Sequence, residues 1–265
     1  MKINNIKNAG LDFLHTVREK TSEVLKSAGE VAKRGAGIAL SGVIAVGCAV
    51  PAASAASDDI IDTTKTGTMH IRKYDMTAAQ EGGVDLNQFI ANGEQDPDAE
   101  EALANYELEG VQFSPTFAGE IATYSQEGTV ILTYSIPATL RNILELSASD
   151  AIWSSGDKLY YTSTQLNDAM QEGLRDYTNF KNKLEEWAAA GALSMPLTDS
   201  RGHTSLSNLP LGLYLIVETK VPENVHTTVD PYFISLPSTD ATGDHWFYTV
   251  YSYPKNQNND PLLDK

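Results

Sequence analysis

Apolar and polar positions follow two periods along this chain. From Thr68 onward, short apolar or aromatic runs recur between turn residues: Met69–Tyr74, Leu108–Phe113, Thr129–Ile136, Leu159–Thr162, Leu211–Thr219, Tyr232–Leu236 and Trp246–Tyr253. Their length and their Val, Ile, Thr, Tyr and Phe content predict strands, because branched and aromatic side chains fit a pleated, half-buried surface. Seven such runs in one domain predict a sandwich of antiparallel sheets. Thr164 to Ala190 breaks the rhythm: Leu166, Met170, Leu174, Tyr177, Phe180, Leu184 and Trp187 recur at three- and four-residue spacings, with Ser163 or Thr164 placed to cap the start and Gly191 to stop it. This predicts one amphipathic helix inserted in a β domain, its aromatic stripe serving as a packing face. Met76 to Ala104 is polar and acidic, with Gly82-Gly83 and Pro97, and reads as a long surface loop with one short helix around Asp85–Ala91.

Residues 1–56 read differently. Lys2, Lys7, Arg18, Lys20, Lys26, Lys33 and Arg34 precede an uncharged stretch from Gly35 to Val50, and Ala52-Ala53-Ser54-Ala55-Ala56 follows. A basic region, an apolar run of about 15 residues and a small-residue site are the layout of a secretory signal, here with cleavage expected near Ala55 or Ala56. The run is short for a span of about 20 residues across a bilayer. Residues 57–66 then read as a linker, 67–256 as one folded domain, and 257–265 as a further linker or the start of another domain. Cys48, the single cysteine, lies within the signal segment, and Ala45-Val46-Gly47-Cys48 is a poor lipoprotein box. The exported chain then has no cysteine, so covalent reinforcement has to use chemistry other than a disulfide.

Composition narrows the functions. The 265 residues carry 19 Lys+Arg against 35 Asp+Glu, a formal net charge of −16, and no basic block. Nucleic acid is therefore not an expected partner, because phosphate binding rests on clustered cations. Removing the seven cations and four anions of the signal segment takes the charge to −19. No G-x-S-x-G elbow, Walker loop, dinucleotide fingerprint or H-E-x-x-H occurs, so neither a cofactor nor a metal is expected. His70, His203, His226 and His245 share no metal-ligand spacing and read as surface or strand histidines. Asp96, Asp98, Glu100 and Glu107 faintly resemble a calcium loop, but Glu101 stands where glycine is needed and Pro97 stiffens the second position, so a solvated acidic loop is the better account. Leu236-Pro237-Ser238-Thr239-Asp240 looks like a sortase sorting signal without its glycine, apolar span and basic tail, and reads as a strand end and turn.

Three segments carry a more specific signal. Trp246-Phe-Tyr-Thr-Val250-Tyr-Ser-Tyr253-Pro254-Lys255-Asn256 resembles the W-x-x-x-V-x-V-Y-P-K pilin motif of sortase-assembled Gram-positive pilins, with Ser252 in place of the second valine. Tyr214 to Pro222 resembles the E-box of that family, centred on Glu218, with Ile216 for leucine and Val221 for alanine. Gly67 to Asp75 and Leu108 to Phe113 resemble early strands of Cna B-type domains. The resemblance implies an Ig-like, Cna B-type β-sandwich with an inserted helix, the amino-terminal domain of a major pilin backbone subunit. It implies that Lys255 is the acceptor of the intermolecular isopeptide bond made by a pilus-specific sortase, with other pilin subunits as partners. It further implies a place at the surface, in the cell wall or fimbrium, of a Gram-positive bacterium.

Strand parity can be read beside the resemblance. In an extended Thr68–Asp75, Met69, Ile71 and Lys73 share one face and His70 and Arg72 the other, so Lys73 falls on the apolar side. In the last strand Trp246, Tyr248, Val250, Ser252 and Asn256 share a parity that Lys255 does not. An inward Lys73 is disfavoured as a cation and an inward Glu218 as an anion. One reading is a spontaneous Lys73–Asn256 isopeptide bond with Glu218 as its acid and base, which the resemblance also implies; the other is an ordinary buried Lys73–Glu218 salt bridge. Lys255 has to stay accessible at the strand end if it is an acceptor, and is otherwise a common solvated lysine. The chain is thus expected to be a substrate rather than an enzyme, exported, with no membrane association after signal removal. An ancillary adhesin binding a host protein or glycan and an Ig-like accessory domain of a secreted enzyme are the competing classes.

Overall fold

The computed structural model describes residues 61–254, apart from 87, 88, 90, 91, 127, 128, 176, 224–227 and 240–244. The expected signal segment, Lys255, Asn256 and the tail lie outside the described residues, as does His226.

The strands are β1 (Gly67–Arg72), β2 (Gln112–Gln126), β3 (Thr129–Ser135), β4 (Trp153–Ser155), β5 (Lys158–Thr162), β6 (His203–Leu209), β7 (Gly212–Lys220), β8 (Tyr232–Leu236), β9 (Ser238–Thr239), β10 (Trp246–Phe247) and β11 (Thr249–Ser252). The helices are α1 (Met76–Glu81), α2 (Pro97–Ala102), α3 (Ala138–Ile143), α4 (Ser163–Arg175) and α5 (Tyr177–Ala189). A six-stranded sheet runs β4-β5-β3-β2-β7-β8, a three-stranded sheet β11-β1-β6, and β9 and β10 form a separate pair. The domain is mainly β, as the sequence predicts.

Alternation along β7 explains the layers. Tyr214 and Ile216 face a core shared with Met69 and Ile71 of β1, Leu209 of β6 and Val250 of β11. Leu213, Leu215 and Val217 face the opposite core, built with Leu140 of α3, Leu166 and Met170 of α4, and Phe180 and Leu184 of α5. Both faces of β7 are therefore covered, which is why its run reads as almost continuously apolar. Burial at about 25 cal/mol per Å² of apolar surface drives this stacking.

Several details differ from the predicted pattern. The helical insertion is two 13-residue helices, α4 and α5, and with α3 they form a third layer rather than a single helix on a sandwich. Phe180 lies so close to Gly173 that a Cβ there would come within 2.1 Å of the ring, so only glycine permits this contact. The sheets are not wholly antiparallel, because β1 pairs with β11 in parallel. The first long strand starts at Gln112 and runs 15 residues, pairing with β7 in its first half and β3 in its second. The other edge of that first half is covered by an irregular segment: Leu193 N donates to Pro115 O, Met195 N to Phe113 O and Thr198 N to Val111 O.

Met76–Ala104 is not a bare surface loop. The Asp75 carboxylate accepts from Ala78 N and starts α1, while Asp96 accepts from Ala99 N with Pro97 next to it and starts α2. Met76, Ala79 and Leu103 then join Tyr74 and Tyr253 in a third small core. Most of Asp85–Ala91, where the short helix is expected, lies outside the described residues; α1 and α2 stand on either side of that stretch. Among the described residues no helix is long and apolar enough to cross a membrane.

Candidate functional site

The parity read for the first strand is observed: Met69, Ile71 and Lys73 are each 0% exposed, while His70 and Arg72 are half-buried. Lys73 follows β1 directly, held by its own N–H donating to Gly202 O at 2.8 Å and its C=O accepting from Leu108 N at 3.0 Å. Gly202 has φ +65, and a Cβ there would sit 2.2 Å from Lys73 O, so this close approach requires glycine. Glu218 shares the inward face of β7 with Tyr214 and Ile216, opposite Phe113 of β2.

Lys73 Nζ lies 3.3 Å from Glu218 Oε1, and neither side chain has any exposure. Glu218 Oε2 accepts from Val229 N at 2.6 Å, whereas Oε1 has no partner of full hydrogen-bond geometry. The amine and Oε1 are thus at ion-pair distance without a well-aligned hydrogen bond. Burial pushes the Lys73 amine below the ordinary lysine range, and the Glu218 charge only partly opposes this. Tyr232 closes one side. Its buried hydroxyl accepts from Ser252 Oγ at 3.3 Å, and burial raises its pKa, with the Glu218 charge adding to the rise, so the phenol stays neutral. Ser252, where the family motif has valine, therefore keeps the inward direction and satisfies its hydroxyl in the core.

The register of β1 on β11 runs Thr68 with Thr249 to Ile71 with Ser252. The first and last strands are neighbours, as a bond between Lys73 and the end of the last strand would need. Trp246–Tyr253 is not one strand, however; β10 pairs with β9 and β11 with β1, with Tyr248 between them.

Trp246, Val250 and Tyr253 of the motif go to three different cores. Trp246, partly buried, packs against the core that the six-stranded sheet shares with the helices, Val250 is fully buried between the sheets, and Tyr253 belongs to the small core with Tyr74 and Leu103. Pro254 is buried at the end of the described chain. The Tyr253 hydroxyl accepts from Asp96 N at 2.8 Å and donates to Glu100 Oε1 at 3.0 Å; Glu100 Oε2 in turn pairs with Arg72 Nη2 at 3.0 Å. Asp96 and Glu100 thus serve a helix cap and a buried-side ion pair rather than a solvated loop.

Two further clusters escape a linear reading. His70 and His203 lie 133 positions apart, yet antiparallel β1 and β6 bring Nδ1 and Nε2 to 2.9 Å, and Tyr251 of β11 stacks on His70 at 4.5 Å. Lys181 of α5 donates to Thr228 Oγ1 at 2.8 Å and stands 3.8 Å from the buried Asp230 carboxylate, tying the helical layer to the approach of β8. His245 is exposed. Among the described residues, no group of three or more His, Cys, Asp or Glu is placed to hold a metal.

Residues 151–257 match the family described as the Gram-positive pilin subunit D1, N-terminal domain, a stretch that includes both the Tyr214–Pro222 and Trp246–Asn256 segments. Over 63 residues the chain is 38% identical to the fimbrial subunit type 2 of Actinomyces naeslundii, covering 23% of this chain and 12% of that protein. Similar solved structures include the full-length major pilin SpaD of Corynebacterium diphtheriae, at 20% identity and TM-score 0.40, over 75% of this chain and 33% of that one. The solution structure of the SpaA pilin and signal peptide complex from the same organism aligns at 17% identity and TM-score 0.37, over 73% of this chain and 98% of that one. The family resemblance expected from the motifs is therefore found. The chain spans about an eighth of its curated relative and a third of the SpaD chain.

Proposed function

We propose that this chain is a structural subunit of a covalently polymerised pilus on a Gram-positive surface, joined to other pilin subunits by a pilus-specific sortase through Lys255. In this reading it is exported, and it is the substrate of the joining reaction rather than its catalyst. An internal Lys73–Asn256 isopeptide bond, promoted by Glu218, reinforces the domain.

The observation that carries the reading is the Lys73–Glu218 contact, buried without exposure and 3.3 Å across, at the junction of the first and last strands. In such a site the charged pair is costly, and proton transfer from the ammonium to the carboxylate leaves a neutral amine and a carboxylic acid. The amine attacks the Asn256 carboxamide carbon while the acid polarises its oxygen. Glu218 then gives this proton to the departing nitrogen, takes a second one from the attacking nitrogen, and passes that on as well. One C–N bond forms, one breaks, ammonia leaves with the extra proton as ammonium, and Glu218 ends as the carboxylate it began. The bond closes a loop of 183 residues, which on a chain-entropy model stabilises by roughly 5 kcal/mol.

For Lys255 the support is the motif itself, whose Trp246, Val250 and Tyr253 pack on three separate cores and so hold the segment that leads to it. The test is co-expression with a pilus sortase and a donor subunit, followed by mass mapping of branched peptides. A branch at Lys255, with high-mass ladders lost in Lys255→Ala, supports the reading. Ladders that persist in that variant favour the ancillary adhesin instead.

A further inference from the structure

Glu100 lies 153 positions before Tyr253 and belongs to no motif, yet it is the hinge of a bonded chain that reaches the acceptor segment. Arg72 Nη2 meets Glu100 Oε2 at 3.0 Å, with the two side chains 13% and 18% exposed. Glu100 Oε1 accepts the Tyr253 hydroxyl at 3.0 Å, and that hydroxyl accepts Asp96 N at 2.8 Å. The Gln95 carboxamide donates to both Glu100 oxygens, at 3.2 and 3.3 Å. Arg72 ends β1, Asp96 and Glu100 belong to α2 and its cap, and Tyr253 follows β11. Three elements distant in sequence are therefore pinned to one phenol oxygen and one carboxylate.

The same segment is pinned once more by its backbone, since Tyr251 N donates to Gly93 O at 2.8 Å. Packing alone does not call for these polar contacts: the Tyr253 ring is already buried against Tyr74, Met76 and Leu103, and phenylalanine would fill that space. The hydroxyl adds direction. Charge-assisted hydrogen bonds are shorter and geometrically stricter than neutral ones, so they hold the strand end in one register where apolar packing tolerates sliding.

We propose that Glu100 and the Tyr253 hydroxyl, braced by Arg72, are positioning residues for sortase joining: they fix the chain two residues before Lys255 so that its amine meets the acyl-enzyme in a reactive geometry. This rests on the reading of Lys255 as acceptor. The chemical step is ordinary aminolysis: the Lys255 amine attacks the thioester carbonyl of the sortase–donor intermediate, an amide forms, and the cysteine thiol leaves with the proton. Displacement of a reacting group by about 1 Å can cost about a hundredfold in rate.

The test measures steady-state joining of the full chain to a sorting-signal peptide by a pilus sortase, with acceptor concentration varied. Variants are Tyr253→Phe, Glu100→Gln, Glu100→Ala, the double variant Tyr253→Phe/Glu100→Ala, and Lys255→Arg. Tyr253→Phe and Glu100→Ala each lower kcat at saturating acceptor at least fivefold with KM within twofold, and the double variant falls no further than the worse single one. Glu100→Gln, which keeps an acceptor for the phenol but loses the charge facing Arg72, falls between. A merely structural role shows the opposite split: partial unfolding depletes competent acceptor and raises KM with kcat unchanged. That split, or variants that all join within twofold of the parent while Lys255→Arg is dead, overturns the positioning role and leaves Lys255 as acceptor. Undiminished joining in Lys255→Arg overturns both. If Tyr253→Phe does not fold, the two Glu100 variants decide.

Discussion

Lys73 Nζ and Glu218 Oε1 stand 3.3 Å apart in a site where neither side chain touches solvent. Replacing Glu218 by alanine strips the buried amine of this counter-charge and orphans Val229 N. Breaking one side of a buried pair costs about 3–5 kcal/mol. Glu218→Ala should therefore lower the denaturant midpoint by that order even before the loss of any cross-link is counted. Glu218→Gln should show a smaller loss, because its amide oxygen can still accept from Val229 N. Equal midpoints for all three proteins would contradict this account of the pair.

The histidine pair gives the domain a pH dependence. His70 and His203 share one hydrogen bond at 2.9 Å, and burial holds both imidazoles below their ordinary pKa of 6.5. The His203 charge also lowers His70, and Arg72 lowers both; Arg201 adds to this at His203. Glu100 opposes the shift at both rings, Asp199 at His203, and Tyr251 stacks on His70. The unfolded chain therefore binds more protons than the folded one as pH falls through and below 6.5, so stability is full above that value and is lost on acidification. Melting temperature should fall between about pH 7 and pH 5, and His203→Gln should flatten the slope. A parent protein with no slope across that window would count against the pair's contribution.

Gly202 offers a backbone test of the same site. With φ +65 and Lys73 O in the way of any Cβ, Gly202→Ala forces either strain or a shift of the Lys73 peptide. The expected cost is about 1–3 kcal/mol. Any intramolecular bond made by Lys73 should also form more slowly, which a time course of intact mass after synthesis would show.

Val250 is buried at 0% exposure between the sheets, next to Met69 in the parallel register. Val250→Ala should cost about 1.5–3 kcal/mol in chemical denaturation. Thr249→Ala, on the exposed face of the same strand, should change stability by under about 0.5 kcal/mol. The contrast checks that the motif's valine is a core anchor rather than a contact surface.

How far these features were legible in the sequence depends on their range. Period-two alternation around Lys73 reads correctly because burial in a strand follows local parity, and the same logic holds for Glu218 among Tyr214 and Ile216. The stripe from Leu166 to Leu184 shows helix but not where the chain turns between α4 and α5, since both halves keep the same period; the Gly173–Phe180 contact that marks the bend appears only in three dimensions. Met76–Ala104 reads as surface because its apolar residues are sparse, yet two Asp caps and a few side chains suffice to dock it on Tyr74 and Tyr253. Glu100 with Tyr253, His70 with His203 and Lys181 with Asp230 left no trace in spacing, because strand pairing and layer packing bring them together over long separations.

The most direct test of the internal bond is the intact mass of the purified, processed chain. The account predicts a mass below that of the free sequence by one ammonia, about 17 Da, with a branched peptide joining Lys73 to Asn256, and full mass in Lys73→Ala and Glu218→Ala. An unshifted parent mass would contradict it and leave Lys73 and Glu218 as a buried ion pair alone.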